Sequence, residues 1–273
     1  MLLAIVLWSV VLACGGLEPP RNLVQVMAWR CSALSNDALV DNLARAGIVQ
    51  SPRVIRAMKA TDRGQYVTIA SENHEARLVS AEQAYQDAPQ MLGFQQTISA
   101  PHMHAYALEL ADVAIHNVER PRVLDVGAGS GYLTACIGHL VEKKVSDEGD
   151  VTSGRVFGIE RIPQLAELAQ KNIERADGDL VRRGIVSVER GDGWSGLPNQ
   201  APFHFIHVGA AATEPPQALM DQLTDGGRLV VPVGEQGARQ VLLEIQRTGR
   251  ETFTKRELMG VSYVPLVRQR TEL

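Results

Sequence analysis

The stretch that most constrains the fold is a short, mostly apolar run followed by a glycine-rich turn. Val123–Val126 is predicted to be a buried strand because it is short, apolar and bounded by turn residues. Gly127, Gly129 and Gly131 follow it in alternation, and a helical pattern of apolar residues begins directly after them. Strand, glycine turn and helix make up half of a βαβ unit, so the sequence predicts an α/β domain.

The spacing of the glycines indicates what kind of ligand the turn could bind. Glycines allow the backbone to approach a ligand closely, and the start of the next helix offers unpaired N–H groups. Dinucleotide sites have the pattern G-x-G-x-x-G or A. In this chain the last glycine, Gly131, comes one residue early, and the larger Tyr132 fills the final position. The pattern favours a nucleotide-like cofactor other than a dinucleotide, and a tight turn without a ligand is the alternative.

Two acidic residues follow predicted strands further along the chain. The strand Val156–Glu160 ends in an acidic residue, Glu160, which at that place in a βαβ unit accepts hydrogen bonds from ribose hydroxyls. The charged loop at residues 142–154 accounts for its greater than usual distance from the glycines. An ion pair with the arginine that follows it is the alternative. Asp192 follows the strand Ile185–Val188 and either forms a turn or faces the ligand crevice.

The segment before the glycine turn places hydroxyl and imidazole groups at the start of a predicted helix. Residues 71–100 have little periodicity, and the glutamines, glycine and proline of residues 83–96 predict a loop. Ser99 is expected to cap the helix that follows, with Pro101 in its first turn. His104 is expected to pack inside that first turn. On the residue pattern alone, these structural roles are favoured over catalytic ones.

The remainder of the chain predicts the other elements of a seven-stranded, mostly parallel sheet with helices on both faces. Helices are expected over residues 35–47 and from Ser51, as a cover on the sheet domain rather than a second domain. The further strands expected are Phe203–Val208, Arg228–Val233, Val241–Arg247 and Val261–Leu266, with a turn at residues 225–227. We expect an antiparallel edge at the C-terminal end of the sheet.

The composition excludes several classes of protein. The chain has 273 residues, of which 45% are hydrophobic, which is enough for one large domain. Its net charge of -4 argues against non-specific nucleic-acid binding, which needs a basic face. Its 3 cysteines lack the spacing of metal ligands or of a disulfide scaffold. No metal site is therefore predicted, and a reducing compartment is expected.

Several segments of the chain carry motifs that occur together. They are Met27–Arg30, Ala60–Arg63, Thr97–Ala105, Asp125–Gly131, His207–Ala212 and Leu258–Leu266. Together they resemble the protein-L-isoaspartate O-methyltransferases over about residues 27–266. The segments around Ser99 and His207 are specific to this family. The Gly-x-Gly-x-Gly turn is similar to motif I of many S-adenosylmethionine-dependent methyltransferases.

The resemblance implies a Rossmann-like methyltransferase that initiates protein repair. Such an enzyme transfers a methyl group from S-adenosyl-L-methionine to the free α-carboxylate of L-isoaspartyl and D-aspartyl residues in damaged proteins and peptides. The ester then closes to a succinimide, whose hydrolysis restores some normal aspartate. Ser99 is implied as the catalytic residue. The positions implied in cofactor binding are Gln96, Thr97, Ile98, Ser99, His104, Asp125, Gly127, Gly129, Ser130, Gly131, Glu160, Gly191 and Asp192.

The chain departs from the family pattern at several points. His204-Phe205 stands where the family has an aspartate before the Ile-His-Val-Gly strand end, and Glu160 stands where many members have aspartate. The tail after Leu266 matches poorly, so tail contacts with the cofactor are not carried over. The alternatives are a nicotinamide oxidoreductase, which Tyr132 disfavours, a small-molecule or RNA methyltransferase, and a non-catalytic binding module. The acidic net charge disfavours RNA.

The N-terminal stretch bears on where the protein acts. Residues 1–17 are uncharged and mostly apolar, but they are short for a membrane span and lack the basic start of a signal peptide. We expect residues 1–26 to be a leader or extension and residues 27–273 to form the methyltransferase domain with its helical cover. A cytosolic monomer acting on isoaspartyl proteins is expected, without nucleic acid or stable membrane association. Entry into the secretory pathway through residues 1–17 is the alternative. The C-terminal residues Arg270–Leu273 resemble an ER-retention signal only weakly, because Thr271 departs from it.

Overall fold

The computed structural model of this chain describes residues 31–70, 76–143 and 153–268. The predicted leader at residues 1–26, the start motif Met27–Arg30 and the tail at residues 269–273 lie outside the described residues. Most of the charged loop expected before the second strand also lies outside them.

The described residues form helices and strands in alternation from the glycine turn onward. The helices are α1 (Asn36–Arg45), α2 (Pro52–Ala60), α3 (Ala81–Ala84), α4 (Pro101–Ile115), α5 (Tyr132–Val141), α6 (Pro163–Arg182) and α7 (Gln217–Asp221). The strands are β1 (Thr68–Ala70), β2 (Ala76–Leu78), β3 (Gln90–Gly93), β4 (Gln96–Ile98), β5 (Arg122–Val126), β6 (Arg155–Glu160), β7 (Val186–Arg190), β8 (Phe203–Val208), β9 (Leu223–Val233), β10 (Gln240–Arg247) and β11 (Phe253–Val261). Within the described ranges, every helix is too short or too polar to cross a membrane.

One sheet of seven strands dominates the fold, in the order β11-β10-β9-β8-β5-β6-β7. The interior strand β5 pairs in parallel with β6 on one side and with β8 on the other. Strands β7 and β9 extend the parallel part, whereas β10 runs antiparallel to both β9 and β11. The predicted seven-stranded, mostly parallel sheet is confirmed, and the strand before the glycine turn lies in its interior, next to the central strand β8. Two short hairpins, β1–β2 and β3–β4, lie outside this sheet.

Alternate residues of the central strands enter two hydrophobic clusters on opposite faces of the sheet. Val123 and Phe205 belong to the cluster that includes residues of α1, α4, α5 and α6. Leu124 and Ile206 belong to the opposite cluster. Because successive side chains of a strand point to opposite faces, a strand covered on both sides appears in the sequence as an apolar run. Phe205 is 0% exposed, and truncating such a side chain to alanine costs about 3–5 kcal/mol.

The N-terminal helices begin where the sequence predicts them. The Ser35 side chain accepts a hydrogen bond from the backbone of the first turn and caps α1. Ser51 caps α2 in the same way, and Pro52 is the first helical residue. The Arg53 guanidinium then donates from Nη2 to the carbonyl of Leu140 in α5 at 2.9 Å. This bond connects the N-terminal helices to the helix that follows the glycine turn.

Three predicted segments of secondary structure were wrong. Residues 83–96 were expected to form a loop but contain the end of α3, the whole of β3 and the start of β4, which are too short for a periodic pattern to show. Of Val261–Leu266, only Val261 belongs to a strand, as the last residue of β11; Pro265 forms an isolated bridge with Ala211, and Leu266 packs against a core cluster. The actual strand, β11, lies earlier at the sheet edge, and its largely exposed residues give no apolar run. The turn expected at residues 225–227 lies inside β9 as an irregularity in its pairing with β8.

Candidate functional site

The carboxyl ends of β5, β6 and β8 meet at one edge of the sheet, where open α/β sheets bind their ligands. A cavity of about 460 Å³ lies there, within the usual range for small-molecule sites. The predicted cofactor residues that line it are Gln96, Thr97, Gly127, Gly129 and Glu160. The fold thus brings the β4 segment, the glycine turn and the acidic end of β6 into one cavity.

Glu160 ends β6 and is 8% exposed. Its Oε2 accepts a hydrogen bond from the Gly129 N–H at 3.1 Å, and its Oε1 accepts one from the Ile162 N–H at 3.0 Å. Burial raises the pKa of Glu160 above its ordinary value, although these backbone bonds oppose the shift. A carboxylate oxygen has two lone pairs. Glu160 can therefore accept further hydrogen bonds from a ligand in the cavity.

The glycine turn serves both the cavity and the packing beneath it. Gly127 lines the cavity and has a φ of +83°, in the region that favours glycine. Gly131 has a φ of +85°, and a Cβ on it would lie 3.0 Å from the side chain of Ile173 and 3.1 Å from the carbonyl of Ala169 in α6. Gly131 therefore lets α6 pack closely against the turn, a requirement that the sequence pattern does not reveal.

Asp125 and Ser130 are buried within the turn and hold its shape. Asp125 Oδ1 lies 2.9 Å from Nδ1 of His207 in β8, and Thr134 Oγ1 donates to Asp125 Oδ2 at 2.6 Å. This carboxylate links β5, β8 and the first turn of α5. Ser130 is 2% exposed, and its Oγ accepts a hydrogen bond from the Tyr132 N–H at 3.4 Å.

Gly191 and Asp192 follow β7, next to Gly193, which lines the cavity. The Gly191 N–H donates to the carbonyl of Glu160 at 3.0 Å. Asp192 Oδ1 accepts a hydrogen bond from the Trp194 N–H at 3.0 Å, so Asp192 does form a turn. Its side chain is half-buried, which leaves part of the carboxylate accessible beside the cavity.

A larger cleft of about 1030 Å³ adjoins the cavity. Thr97 and Gly209 line both spaces and therefore form a shared wall. Ser99 lines the cleft, whereas the intervening Ile98 is 3% exposed and packs into the core. A substrate in the cleft and a cofactor in the cavity would meet at this wall.

Ser99 does not cap the helix that follows it, so that prediction was wrong. Pro101 fixes the start of α4, which places Ala100 at the N-cap, where it supplies no side-chain hydrogen bond. The cap comes instead from Asp87, whose Oδ1 accepts hydrogen bonds from the His102 N–H at 3.0 Å and from its ring Nδ1 at 2.7 Å. The Ser99 side chain therefore does not cap α4 and instead lines the cleft, where it forms a hydrogen bond with the Tyr263 side chain.

His104 lies in the first turn of α4 and is 7% exposed, which confirms the predicted packed histidine. The fully buried Arg63 reaches it, with Nη1 at 3.3 Å from His104 Nδ1. The Arg63 Nη2 also donates to the carbonyl of Ser99 at 2.9 Å. Burial, and then the charge of Arg63, lower the pKa of His104 well below its ordinary value, so its imidazole is neutral.

Sequence reasoning missed several residues around the site. Tyr263 stands in the cleft wall, where burial raises its pKa to about 12 and a side-chain hydrogen bond with Ser99 opposes the shift. Gln240 holds the Tyr263 backbone, accepting from its N–H at 2.6 Å and donating to its carbonyl at 3.2 Å. Trp194 Nε1 donates to the carbonyl of Leu266 at 2.9 Å, which fixes the segment beside the cavity. Tyr263 lies within the family-like segment Leu258–Leu266, and this resemblance was the only feature of the sequence that could have pointed to it.

Comparisons with known proteins agree with one another. The chain matches the family model of protein-L-isoaspartate(D-aspartate) O-methyltransferase over residues 34–271. A Caenorhabditis elegans protein-L-isoaspartate O-methyltransferase is 40% identical over 240 residues, which cover 88% of this chain and 96% of that protein. Protein-L-isoaspartate O-methyltransferase 1 of Arabidopsis thaliana is 42% identical over 247 residues, covering 90% and 97%.

A solved structure is similar over nearly its full length. It is a Plasmodium falciparum protein described as a protein-L-isoaspartate O-methyltransferase, crystallised in complex with S-adenosyl-L-homocysteine. It aligns with a TM-score of 0.70 and 30% identity, over 86% of this chain and 99% of that one.

Proposed function

The chain belongs to the protein-L-isoaspartate (D-aspartate) O-methyltransferase family, and from this premise we propose how its site performs that reaction. It transfers a methyl group from S-adenosyl-L-methionine to the free α-carboxylate of L-isoaspartyl and D-aspartyl residues in damaged proteins. The observation that carries this proposal is the shared wall, because Ser99 faces a peptide-sized cleft directly beside a cofactor-sized cavity.

The residues of the cavity fit the proposed cofactor. Glu160 would accept hydrogen bonds from the ribose hydroxyls, because its carboxylate faces the cavity and retains acceptor capacity. Gly127 and Gly129 would allow close backbone approach. Among the other contacts that the family resemblance implies, Gln96 and Thr97 line the cavity, and Gly191 and Asp192 precede Gly193, which also lines it. His104 lies in the first turn of α4, whose residues His102 and Met103 line the adjoining cleft.

The proposed reaction requires few catalytic groups from this chain. When bound, S-adenosyl-L-methionine supplies an electrophilic methyl group on a positively charged sulfur. The acceptor carboxylate is ionised at neutral pH, so the residues of the site need not remove a proton. The main contribution of the site is to orient the carboxylate and the methyl donor at the shared wall, which can lower the activation free energy by several kcal/mol. Ser99 supplies this orientation by donating its hydroxyl to one carboxylate oxygen.

A neutral hydrogen-bond donor to the substrate carboxylate suits this step better than a cationic one would. Methyl transfer cancels the positive charge of the methyl donor and the negative charge of the carboxylate that accepts the methyl group. A lysine or arginine bound to the carboxylate would therefore stabilise the ground state more than the transition state. The Arg63 guanidinium, which contacts Ser99, donates to the Ser99 backbone carbonyl.

The cellular setting is part of the same proposal. We propose a cytosolic monomer that binds isoaspartyl proteins and no nucleic acid, with residues 1–26 as an extension before the catalytic domain. The net charge of -4 supports the absence of nucleic-acid binding. Mass spectrometry of the native N-terminus tests the location, because a chain that starts between residues 14 and 17 would show secretory processing.

Transfer of labelled methyl from S-adenosyl-L-methionine to an isoaspartyl peptide tests the activity. The matched control is the same peptide with a normal aspartyl residue. We expect label on the isoaspartyl peptide alone, in a base-labile ester. Equal labelling of both peptides would contradict the substrate assignment, and cofactor binding without any transfer would favour a binding module.

A further inference from the structure

Arg63 is a buried cation whose hydrogen bonds go to neutral groups. It is 0% exposed, and its Nε donates to the carbonyl of Ala84 at 3.1 Å while Nη2 donates to the carbonyl of Ser99 at 2.9 Å. Its guanidinium lies 5.3 Å from the ring centroid of Tyr132. In the part of the chain described, no carboxylate forms an ion pair with it. Burying a charge without a carboxylate in direct contact is costly, and the Asp87 carboxylate acts on Arg63 through its charge rather than through an ion pair.

The remaining contact of the guanidinium determines the tautomer of His104. Arg63 Nη1 lies 3.3 Å from His104 Nδ1. A guanidinium can only donate, so Nδ1 must be the acceptor. The single ring proton of the neutral imidazole must then be on Nε2. His104 is therefore a hydrogen-bond donor through Nε2, and it cannot serve as a general base through Nδ1.

We propose that Arg63 is a positioning residue of the methyltransferase site, which holds His104 as a neutral Nε2–H donor and fixes the backbone of Ser99. A neutral N–H donor of this kind suits a carboxylate acceptor, which both the cofactor and the isoaspartyl residue carry. A neutral donor binds such a group without adding a cation beside the reacting charges. The inference rests on the proposed function only in placing His104 and Ser99 in the active site.

Only arginine can perform this role. Its Nε, Nη1 and Nη2 point in fixed directions, and each reaches a different residue, Ala84, His104 and Ser99. The ammonium of lysine is a single point charge with rotatable donors. Arg63→Lys therefore preserves the positive charge but cannot hold all three acceptors in place at once.

NMR of the full chain with ¹⁵N-labelled histidine tests the tautomer directly. The charged or aromatic groups that face His104 are Arg63, His102, His207 and Tyr132. The His104 signals are assigned by their loss in His104→Gln. We expect Nδ1 to be unprotonated and Nε2 protonated, with no titration in the range of an ordinary histidine. A proton on Nδ1, or titration near the ordinary histidine pKa of about 6.5, would overturn the proposal.

Arg63→Lys then tests the consequence for catalysis. We expect kcat to fall on the order of 10²-fold per folded molecule, as displaced reacting groups do, and we expect the His104 spectrum to change. Arg122→Lys is the matched control, since Arg122 also donates to a carbonyl, that of Gln200, and lies 5.0 Å from the ring centroid of Phe157. The control should retain both kcat and the spectrum. An Arg63→Lys enzyme with parental kcat and spectrum would overturn the proposal.

Adding one ligand at a time shows whether the cofactor or the substrate supplies the carboxylate that His104 binds. These measurements require no methyl transfer, so they separate this inference from the proposed activity. S-adenosylhomocysteine alone shifts the His104 Nε2 signal if the cofactor supplies the carboxylate, and isoaspartyl peptide alone shifts it if the substrate does. A signal unmoved by either would overturn the assigned donor role. The tautomer of the free protein requires no turnover, so it decides the inference even where Arg63→Lys does not fold or the peptide is not methylated.

Discussion

Ser99 is the residue on which the proposed chemistry depends most directly. Because Asp87 caps α4, Ser99→Ala removes no helix cap, and the free energy of unfolding should fall by no more than about 1 kcal/mol, the scale of its hydrogen bond with Tyr263. Methyl transfer should fall on the order of 10²-fold, because the acceptor oxygen loses its orienting donor. Labelled-methyl turnover, urea unfolding and calorimetry with S-adenosylhomocysteine measure the three quantities on one preparation.

The matched control for Ser99 is Ser35, which does cap a helix. Ser35→Ala should lose about 1 kcal/mol of stability and keep its turnover per folded molecule. Folded Ser99→Ala enzyme that methylates the isoaspartyl peptide at the parental rate would remove Ser99 from the mechanism.

The proposed role of Glu160 leads to a separate prediction about the affinity for the cofactor. Glu160→Gln should weaken S-adenosylmethionine binding by about 1–3 kcal/mol, the scale for losing charge-assisted hydrogen bonds. Burial raises the pKa of Glu160 despite its backbone bonds, so the carboxylate gains a proton at a higher pH than an ordinary glutamate does. Affinity should therefore fall as the pH falls through that raised pKa, and the glutamine variant should lack this dependence.

Calorimetry across the acid range measures this effect, with Glu189→Gln as the control on the exposed surface of β7. Equal affinity of parent and Glu160→Gln at every pH would remove the ribose assignment. Glu160 could be identified from the sequence because a strand end locates it. Arg63 could not, because its partners come from residues 84, 99 and 104, and only the tertiary fold brings them together.

At the scale of elements, the start of α4 depends on a distant residue. Asp87→Ala should remove the cap and cost about 0.5–2 kcal/mol of stability. It should also reduce turnover per folded molecule, because Ser99 lies just before this helix start. Chemical unfolding and methyl transfer measure the two effects, and Ser35→Ala is again the control that loses a cap far from the cleft. Parental turnover in folded Asp87→Ala would show that the cap does not position Ser99.

The elements that the sequence predicts well are those with their own internal signal. The strand β5 is covered on both faces and appears as an apolar run, and α1 and α2 carry serine caps. The edge strand β11 was missed because exposure removes its apolar pattern. The β3–β4 hairpin was missed because its strands have 4 and 3 residues. The cap of α4 was misassigned because the capping acceptor, the carboxylate of Asp87, lies 15 residues before His102 in the sequence.

At the scale of the whole molecule, one polar network joins the N-terminal helical region to the sheet domain. The Tyr66 hydroxyl donates to Asp177 Oδ2 at an irregular residue within α6. His139 in α5 places Nε2 at 2.7 Å from Asp177 Oδ1 and Nδ1 at 3.2 Å from Glu142 Oε2. Because both ring nitrogens face carboxylates, the imidazole must be doubly protonated to donate to both. Burial lowers the pKa of His139, but the bonds to Asp177 and Glu142 outweigh it and raise the pKa above its ordinary value.

This shift predicts how the stability of the fold depends on pH. The raised folded-state pKa means that the native protein binds the His139 proton more tightly than the unfolded chain does. The stabilisation is therefore fully present below the unfolded pKa of about 6.5, and it is lost as the pH rises through the folded pKa. Urea unfolding of the parent and of His139→Gln should show their largest difference in the free energy of unfolding at acid pH, and the difference should shrink toward alkaline pH. His116→Gln is the control, since that ring faces the backbone carbonyls of Asp112 and Val113. A difference between parent and His139→Gln that stays constant with pH would show that His139 contributes packing and no charge.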